Sequence, residues 1–273
     1  MGTVKLASAR VGALSRAAWL SATSYRVRIL VSIVGIVLSI IPIFFVTDAL
    51  QDVVSDSINT ESSQYFAFAV VGMLALNFVG TAVTILPQQI SSGITTGTLE
   101  ALLSTRSRLP VLLAGLAAFP LIWTGLRSLV LLVAAWLMGA EVVWSQLFPS
   151  LLVVLLIVLA HLPFGLMGAA LILAFRTAGP LAQGVLFLSA GLGGVYYSTT
   201  VIPSWLQTLS AFTPLAYGLR ALRRMILRGE PISAVGADIG VLCLFAIVLT
   251  AASSAGFVVA FRYARRAGTL TQY

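Results

Sequence analysis

Three strongly polar side chains lie inside mostly apolar stretches of this sequence, and they are the residues best placed to do chemistry. They are Asn77, Arg127 and His161. A serine peptidase would need a serine on a glycine-flanked turn beside the histidine, and a zinc peptidase would need a second histidine. The chain contains neither G-x-S-x-G nor H-E-x-x-H, and His161 is its one histidine. The sequence therefore predicts no catalytic residue and no metal site, and it argues against an enzyme.

Arg127 needs a polar surrounding more than the other two. A charged arginine near the middle of a bilayer costs roughly 2.5–3.5 kcal/mol, so it requires a partner or water. We expect it to line a polar cavity. Asn77 could instead form a hydrogen bond between helices, and His161 could be a packed core residue. All three are candidate substrate-path residues, together with Tyr196 and Tyr197, although these tyrosines equally suit an aromatic belt at the membrane surface.

The elements that must position these residues are membrane-spanning helices. Apolar residues make up 59% of the 273 positions and charged residues 9%, whereas roughly a quarter of a soluble domain is charged. A helix needs about 20 mostly apolar residues to cross the ~30 Å hydrocarbon core. The sequence predicts an all-α polytopic membrane protein, with a single transmembrane domain over residues 1–273. Six spans are predicted, at residues 27–47, 65–87, 110–139, 151–175, 181–197 and 235–257.

Basic residues favour one side of this predicted membrane protein. With six alternating passes, eleven of the sixteen basic residues fall on the same side, which the positive-inside rule makes the cytoplasm. Both termini are then cytoplasmic, in a multi-pass protein of the plasma (cell inner) membrane. Residues 1–26 are predicted to form a cytoplasmic interfacial helix. The eleven are Lys5, Arg10, Arg16, Arg26, Arg28, Arg106, Arg108, Arg176, Arg262, Arg265 and Arg266.

The net charge of +8 indicates membrane lipid rather than nucleic acid as a partner. Basic residues at the cytoplasmic surface attract anionic lipid, and the sequence contains no basic stripe on a soluble helix that could bind nucleic acid. Acidic residues are concentrated on the other side, and the first outer loop is predicted to contain Asp48, Asp52, Asp56 and Glu61.

The predicted fifth span is short, and the segment after it is too apolar for a water-exposed loop. We expect residues 198–231 to dip back into the outer leaflet as short helices, which gives a re-entrant segment between the fifth and sixth spans. Three glycines weaken the end of the span, namely Gly191, Gly193 and Gly194. The second short helix has a capping residue, a first-turn proline and a terminal glycine, which are Thr213, Pro214 and Gly229.

Four arginines near the end of that second helix depart from the positive-inside rule. They are Arg220, Arg223, Arg224 and Arg228. One interpretation is that they extend to outer headgroups and hold the helix at the interface. The other is that they meet the anionic headgroup of an exported lipid or glycan.

A polar segment, residues 88–108, is predicted as a cytoplasmic loop that follows the second span at Pro87. Its Leu99, Leu102 and Leu103 would give a short helix one apolar face, and Glu100 would suit the start of that helix. An apolar face in the cytoplasm needs a cover. The helix either lies back on the membrane surface or inserts into a groove of a partner protein.

Two stretches of the sequence carry recognisable motifs. One is Gly97-Thr98-Leu99-Glu100-Ala101-Leu102-Leu103 followed by Thr105 and Arg106, and the other is Pro203-Ser204-Trp205-Leu206 with Pro214-Leu215-Ala216-Tyr217-Gly218-Leu219-Arg220. Both resemble stretches of type-2 ABC exporter permeases. The resemblance implies that the first stretch is a coupling helix. The implied contacts to a cytoplasmic ATPase are Gly97, Thr98, Leu99, Glu100, Leu103 and Arg106. It also implies an outer helix that carries Trp205, Tyr217, Arg220, Arg223 and Arg224.

The resemblance further implies a permease that exports an amphipathic or hydrophobic substrate such as a drug, lipid or glycolipid. Because the chain has no G-x-x-x-x-G-K-[ST] loop, the ATPase would be a separate chain that binds ATP and Mg²⁺, and this chain would carry no cofactor. A second permease copy would complete a homodimer, or a related permease a heterodimer. The alternative is a stand-alone secondary transporter or channel. The scarcity of acidic residues in the predicted spans, where Asp238 near the start of the sixth span is the one example, argues against it.

Overall fold

A computed structural model describes residues 26–59, 61–97, 109–175 and 179–266 of this chain. All regular structure in those residues is helical, which confirms the predicted all-α fold. Short 3₁₀ turns cover Trp144–Gln146 and Ile232–Val235. The α-helices are α1 (Arg26–Ile58), α2 (Tyr65–Thr95), α3 (Leu109–Leu137), α4 (Leu147–Phe175), α5 (Gly179–Leu192), α6 (Ser204–Ser210), α7 (Pro214–Ile226) and α8 (Gly236–Arg266).

Five helical segments in the described residues are long and apolar enough to cross a membrane. They are Val31–Ile58, Tyr65–Thr95, Gly115–Leu137, Trp144–Ile172 and Ile232–Phe257. The predicted fifth span differs, because α5 has only 14 residues. It rises about 21 Å, less than the ~30 Å hydrocarbon core. A turn at Gly193 and Gly194 follows it, and Gly194 has a φ of 74°.

The centre of the bundle is formed by α2 and α4. Helix α4 packs most extensively against α8 and α2, and α2 packs next against α3. Helix α7 packs against α4, α8 and α2 through Leu215, Leu219 and Leu222, which are fully buried. By contrast, α1 and α8 keep many large apolar side chains exposed. Helices of this kind suit contact with lipid tails rather than with water.

The prediction that Pro87 ends the second helix is wrong. Pro87 lies inside α2, which continues to Thr95, so the first residues of the predicted loop 88–108 are helical. Proline cannot donate a hydrogen bond to the carbonyl of Val83, four residues earlier. Gly165 of α4 approaches this position, and an added Cβ there would lie 3.2 Å from the Val83 carbonyl oxygen and 2.5 Å from that of Ala82. Close packing of α4 therefore covers the backbone that Pro87 disturbs.

The first helix is also longer than predicted. Helix α1 extends to Ile58, so Asp48, Asp52 and Asp56 lie on a helix and not in a loop. Residues 43–58 contain neither glycine nor proline, and without such a breaker the helix continues past its apolar part. The predicted interfacial helix lies outside the described residues except for Arg26, where α1 begins.

Candidate functional site

A stripe of polar side chains runs along one face of α2. The stripe consists of Asn77, Thr81, Thr84 and Gln88, and the spacings of four, three and four residues place them on one side of a helix. It forms one wall of a cleft of about 720 Å³. The other walls are Phe119, Pro120, Trp123 and Thr124 of α3, and Gln183, Leu186, Phe187 and Ala190 of α5. The cleft therefore has a polar wall opposite an aromatic and apolar one.

A second, smaller recess adjoins this cleft. Its volume is about 80 Å³, and it shares Asn77, Thr81 and Thr124 with the cleft. The hydroxyl groups of Thr81 and Thr124 form a hydrogen bond of 2.8 Å between α2 and α3. Ile36, Arg127, Ser128 and Leu131 complete the recess. The structure thus brings together two of the residues proposed from sequence, Asn77 and Arg127.

The other three candidates for the substrate path lie elsewhere. His161 is fully buried, and its Nδ1 lies 2.7 Å from the carbonyl oxygen of Ile157. Its Nε2 has no hydrogen-bond partner in the described part of the chain. Tyr196 and Tyr197 belong to the segment that follows α5. None of the three lines the cleft or the recess.

Arg223 of α7 is the most elaborately bound charged residue of the described chain. Its side chain is 2% exposed, and its Nη1 donates to Oε2 of Glu61 at 3.0 Å. The guanidinium carbon lies 3.2 Å from the centre of the Phe68 ring, a cation–π contact. Burial lowers the pKa of Arg223 to about 10, against the opposing effect of the Glu61 carboxylate. The guanidinium therefore remains charged at neutral pH.

Side chains also donate hydrogen bonds to the backbone carbonyl groups at the end of α5 and in the segment that follows it. Helix ends leave such groups without helical partners, and in a membrane each needs a donor. The donor side chains come from α2, α6 and α7 and from the segment itself. The pairs are Tyr197 to Gly191, Ser210 to Leu192 (2.6 Å), Arg223 to Gly194 (3.0 Å) and Val195 (2.8 Å), and Tyr65 to Tyr196 (2.9 Å).

Glycine at position 72 makes the approach of Arg223 possible. An added Cβ on Gly72 would collide with the carbonyl oxygen of Val195 and would lie 3.0 Å from Nη2 of Arg223. Arg223 also donates to the carbonyl of Phe68, at 3.3 Å from Nε and 3.2 Å from Nη2. This one side chain therefore joins α7 to the start of α2, to the turn before α2 and to the chain after α5.

Arg220 and Arg224, which lie close to Arg223 on α7, bind acidic partners. Arg220 donates to Asp238 at 2.6 Å, and Arg224 donates to Glu230 at 2.5 Å and lies 3.9 Å from Asp238. The expectation that Arg223 extends to headgroups is wrong, because its side chain is buried. Arg220 and Arg224 remain partly exposed, but each is held by a carboxylate. Gly229, with a φ of 71°, follows α7 as predicted, whereas Thr213 makes no capping hydrogen bond.

Of the aromatic residues proposed here, Trp205 is 64% exposed on α6. The hydroxyl of Tyr217 donates to the carbonyl of Ala211 at 3.1 Å, and the guanidinium of Arg220 lies 5.2 Å from the Tyr217 ring. Tyr217 therefore connects α7 to the end of α6 and also positions Arg220.

The proposed coupling residues begin at the end of α2. Gly97 is exposed and has a φ of 67°, a left-handed conformation that glycine adopts readily. The helix thus stops where the coupling stretch starts. Thr98, Leu99, Glu100, Leu103 and Arg106 lie outside the described residues. In the described ranges, no group of three or more His, Cys, Asp or Glu side chains is arranged to hold a metal ion.

Comparison with protein families identifies the chain. The profile described as ABC-2 type transporter matches residues 10–227. This chain belongs to the ABC-2 type transporter family. The match covers the cleft, the recess and helix α7. A comparison with curated proteins gives no significant match. The protein is therefore a multi-pass permease of an ABC transporter, and the permease itself is a transport subunit and not a catalyst.

Sequence reasoning missed several residues of this ABC-2 permease. Thr81, Thr84 and Gln88 could have been found from Asn77, because polar residues at helical spacing in an apolar span mark one face. Glu61, Glu230 and Asp238 were not recognised as partners of the arginines. Glu61 lies 162 residues from Arg223 in the sequence, and no local pattern connects residues that far apart.

Proposed function

We propose that this permease is the membrane subunit of an ATP-driven exporter that moves an amphipathic or hydrophobic substrate outward from the cytoplasm or inner leaflet. The cleft between α2, α3 and α5 carries the proposal. Its volume of about 720 Å³ lies in the range of small-molecule sites. The polar stripe on α2 would contact the polar part of a drug, lipid or glycolipid. The wall with Phe119, Trp123 and Phe187 would contact the apolar part.

A separate cytoplasmic ATPase chain supplies the energy in this proposal and binds ATP and Mg²⁺. Helix α2 would transmit its motion, because it is continuous over 31 residues, or about 46 Å. One end meets the coupling stretch at Gly97. The polar stripe lies further along, and the carbonyl of Phe68 at the other end accepts from Arg223. A push at Gly97 would therefore reach both the cleft and α7.

A second permease copy would complete the path, in a homodimer or in a heterodimer with a related permease. The cleft is open beside α5, where Phe187 is 79% exposed and Leu188 is 55% exposed. Large apolar side chains at the mouth of a cleft favour coverage by protein or lipid. The complex would lie in the plasma (cell inner) membrane with both termini in the cytoplasm. Substrate would leave beneath the re-entrant segment 198–231.

Reconstitution tests the proposal. The permease and its co-purified ATPase are placed in proteoliposomes, and the movement of a fluorescent lipid and of a hydrophobic dye is followed with and without ATP. We expect movement that depends on ATP and that falls sharply in the double variant T84L/Q88L. Thr250→Leu on α8 is the control, because Thr250 is exposed and lies outside the cleft. Movement at the full rate without nucleotide would overturn the proposal in favour of a stand-alone transporter or channel.

A further inference from the structure

Arg127 lies well inside an apolar helix and far from either of its ends. Helix α3 is Leu109–Leu137, which places Arg127 about 27 Å from one end and about 15 Å from the other along the helix. Both distances exceed the length of an arginine side chain. Arg127 therefore cannot reach the headgroups in the way that residues near helix ends do.

No protein group neutralises Arg127 in the described part of the permease. The ion pairs there involve Arg220, Arg223 and Arg224, and Arg127 forms neither an ion pair nor a hydrogen bond in those residues. The acids of α1 begin at Asp48, 12 residues beyond Ile36 of the recess and so about 18 Å along the helix. An unneutralised charge at this depth is costly, which is why such residues mark ion or substrate pathways.

The recess beside Arg127 is rich in hydrogen-bond donors. Ser128 is buried, and its Oγ has no partner in the described residues. Asn77 contributes an amide from the facing helix, and none of the described residues that line the recess is a carboxylate. A volume of about 80 Å³ exceeds the roughly 10–15 Å³ that one water needs. It therefore suits a small polar group, and a guanidinium pairs in two-pronged fashion with phosphate or carboxylate.

We propose that this recess binds the anionic headgroup, a phosphate or a carboxylate, of an amphipathic substrate. The apolar part of that substrate lies in the adjoining cleft, because the recess and the cleft share Asn77, Thr81 and Thr124. This inference rests on the proposed export function and names the class of substrate. The phosphate groups of bulk lipid would not pair with Arg127, since they lie at the membrane surface and Arg127 lies about 15 Å from the nearer end of its helix.

Binding of three probes to the full transporter in phosphatidylcholine nanodiscs tests the inference. The probes are a fluorescent fatty acid, its uncharged methyl ester, and inorganic phosphate as a competitor. We expect the acid to bind about tenfold tighter than the ester, since a hydrogen bond to a charged group adds about that factor. Inorganic phosphate should compete weakly, because it lacks the apolar part that fills the cleft. Equal binding of acid and ester, or displacement by phosphate at low concentration, would overturn the inference.

Variants of the recess residues test whether the preference for the acid over the ester arises there. Arg127→Gln should remove it, Arg127→Lys should retain it in weakened form, and Ser128→Ala should reduce it. The matched control is Arg228→Gln, because Arg228 is exposed and lies outside the recess. If Arg127→Gln does not assemble with the ATPase, Arg127→Lys and Ser128→Ala decide the matter. Unchanged preference in all the recess variants would contradict the proposed site.

The two proposals fail in different ways. ATP-driven movement of uncharged amphiphiles with no preference for the acid would refute the anion site and leave the exporter intact. Tight binding of the acid that depends on Arg127, without any ATP-driven movement, would refute the exporter and leave the site intact.

Discussion

Glu61 and Arg223 form a buried ion pair between two parts of the permease that lie far apart in sequence. The Nη1 of Arg223 lies 3.0 Å from Oε2 of Glu61, and the two side chains are 2% and 11% exposed. Glu61 belongs to the turn between α1 and α2, and Arg223 belongs to α7. The pair therefore holds α7 against the first helical hairpin. Because the guanidinium also binds three backbone carbonyls, removal of either partner leaves buried polar groups unpaired.

Substitution of Arg223 should destabilise the fold. Removing one member of a buried pair typically costs about 3–5 kcal/mol, so Arg223→Met should lower the thermal unfolding midpoint in detergent substantially. Glu61→Gln should lower it less, because the amide keeps an oxygen that accepts from Arg223. Arg228→Gln is the control, since Arg228 is exposed and forms no ion pair in the described residues. Equal midpoints for Arg223→Met and Arg228→Gln would show that the buried contacts of Arg223 do not stabilise the fold.

Gly72→Ala should weaken the contact of Arg223 with the chain after α5, because Gly72 lies on the facing helix α2. The added methyl group would collide with the carbonyl of Val195 and crowd Arg223, so we expect a lower unfolding midpoint and faster proteolysis near residue 195. Gly80→Ala on the same helix is the matched control, because its nearest neighbour would be Cδ2 of Leu186 at 3.6 Å, an ordinary contact distance. If both variants unfold at the same temperature, the close approach at Gly72 has no energetic consequence.

A disulfide between α2 and α3 should stop transport by fixing one wall of the cleft to the other. The hydroxyl oxygens of Thr81 and Thr124 lie 2.8 Å apart, so the double variant T81C/T124C should oxidise readily in a C243A background. ATP-driven export should fall on oxidation and recover on reduction, and the reduced protein serves as its own control. Full export by the cross-linked protein would show that α2 and α3 do not separate during the cycle.

Reversal of the charge at Glu100 should uncouple the ATPase from export. A negative residue at the start of the predicted coupling helix favours the helix dipole, and an arginine there opposes it. Glu100→Arg should therefore lose export while membrane insertion and basal ATP hydrolysis persist. Glu141→Arg is the control, because Glu141 is exposed between α3 and α4, on the predicted opposite side of the membrane. Export at the normal rate in Glu100→Arg would exclude the coupling role.

Sequence patterns predicted the long helices well because their signal is local. Runs of apolar residues and the glycines at positions 194 and 229 mark where helices occur and where two of them end. Pro87 was misleading because a proline can stay inside a helix when a neighbouring helix covers the disturbed backbone. Gly165, which allows that close packing, lies 78 residues further along the sequence, so no local pattern reveals it. The sequence partly indicates that Arg223 is buried, since Arg223 lies four residues after Leu219 on a helix face with many leucines. Nothing in the local sequence indicates that Glu61 is its partner.

The unwound chain after α5 bears on how tightly the permease seals the membrane. Amide groups in a non-helical segment ordinarily recruit water, and a file of water through a leaflet conducts protons and small ions. Here the carbonyl groups of Gly191, Leu192, Gly194, Val195 and Tyr196 each accept from a side chain instead. These five carbonyl groups therefore need no water as a partner, so the interruption of the helix does not depend on a file of water beside it.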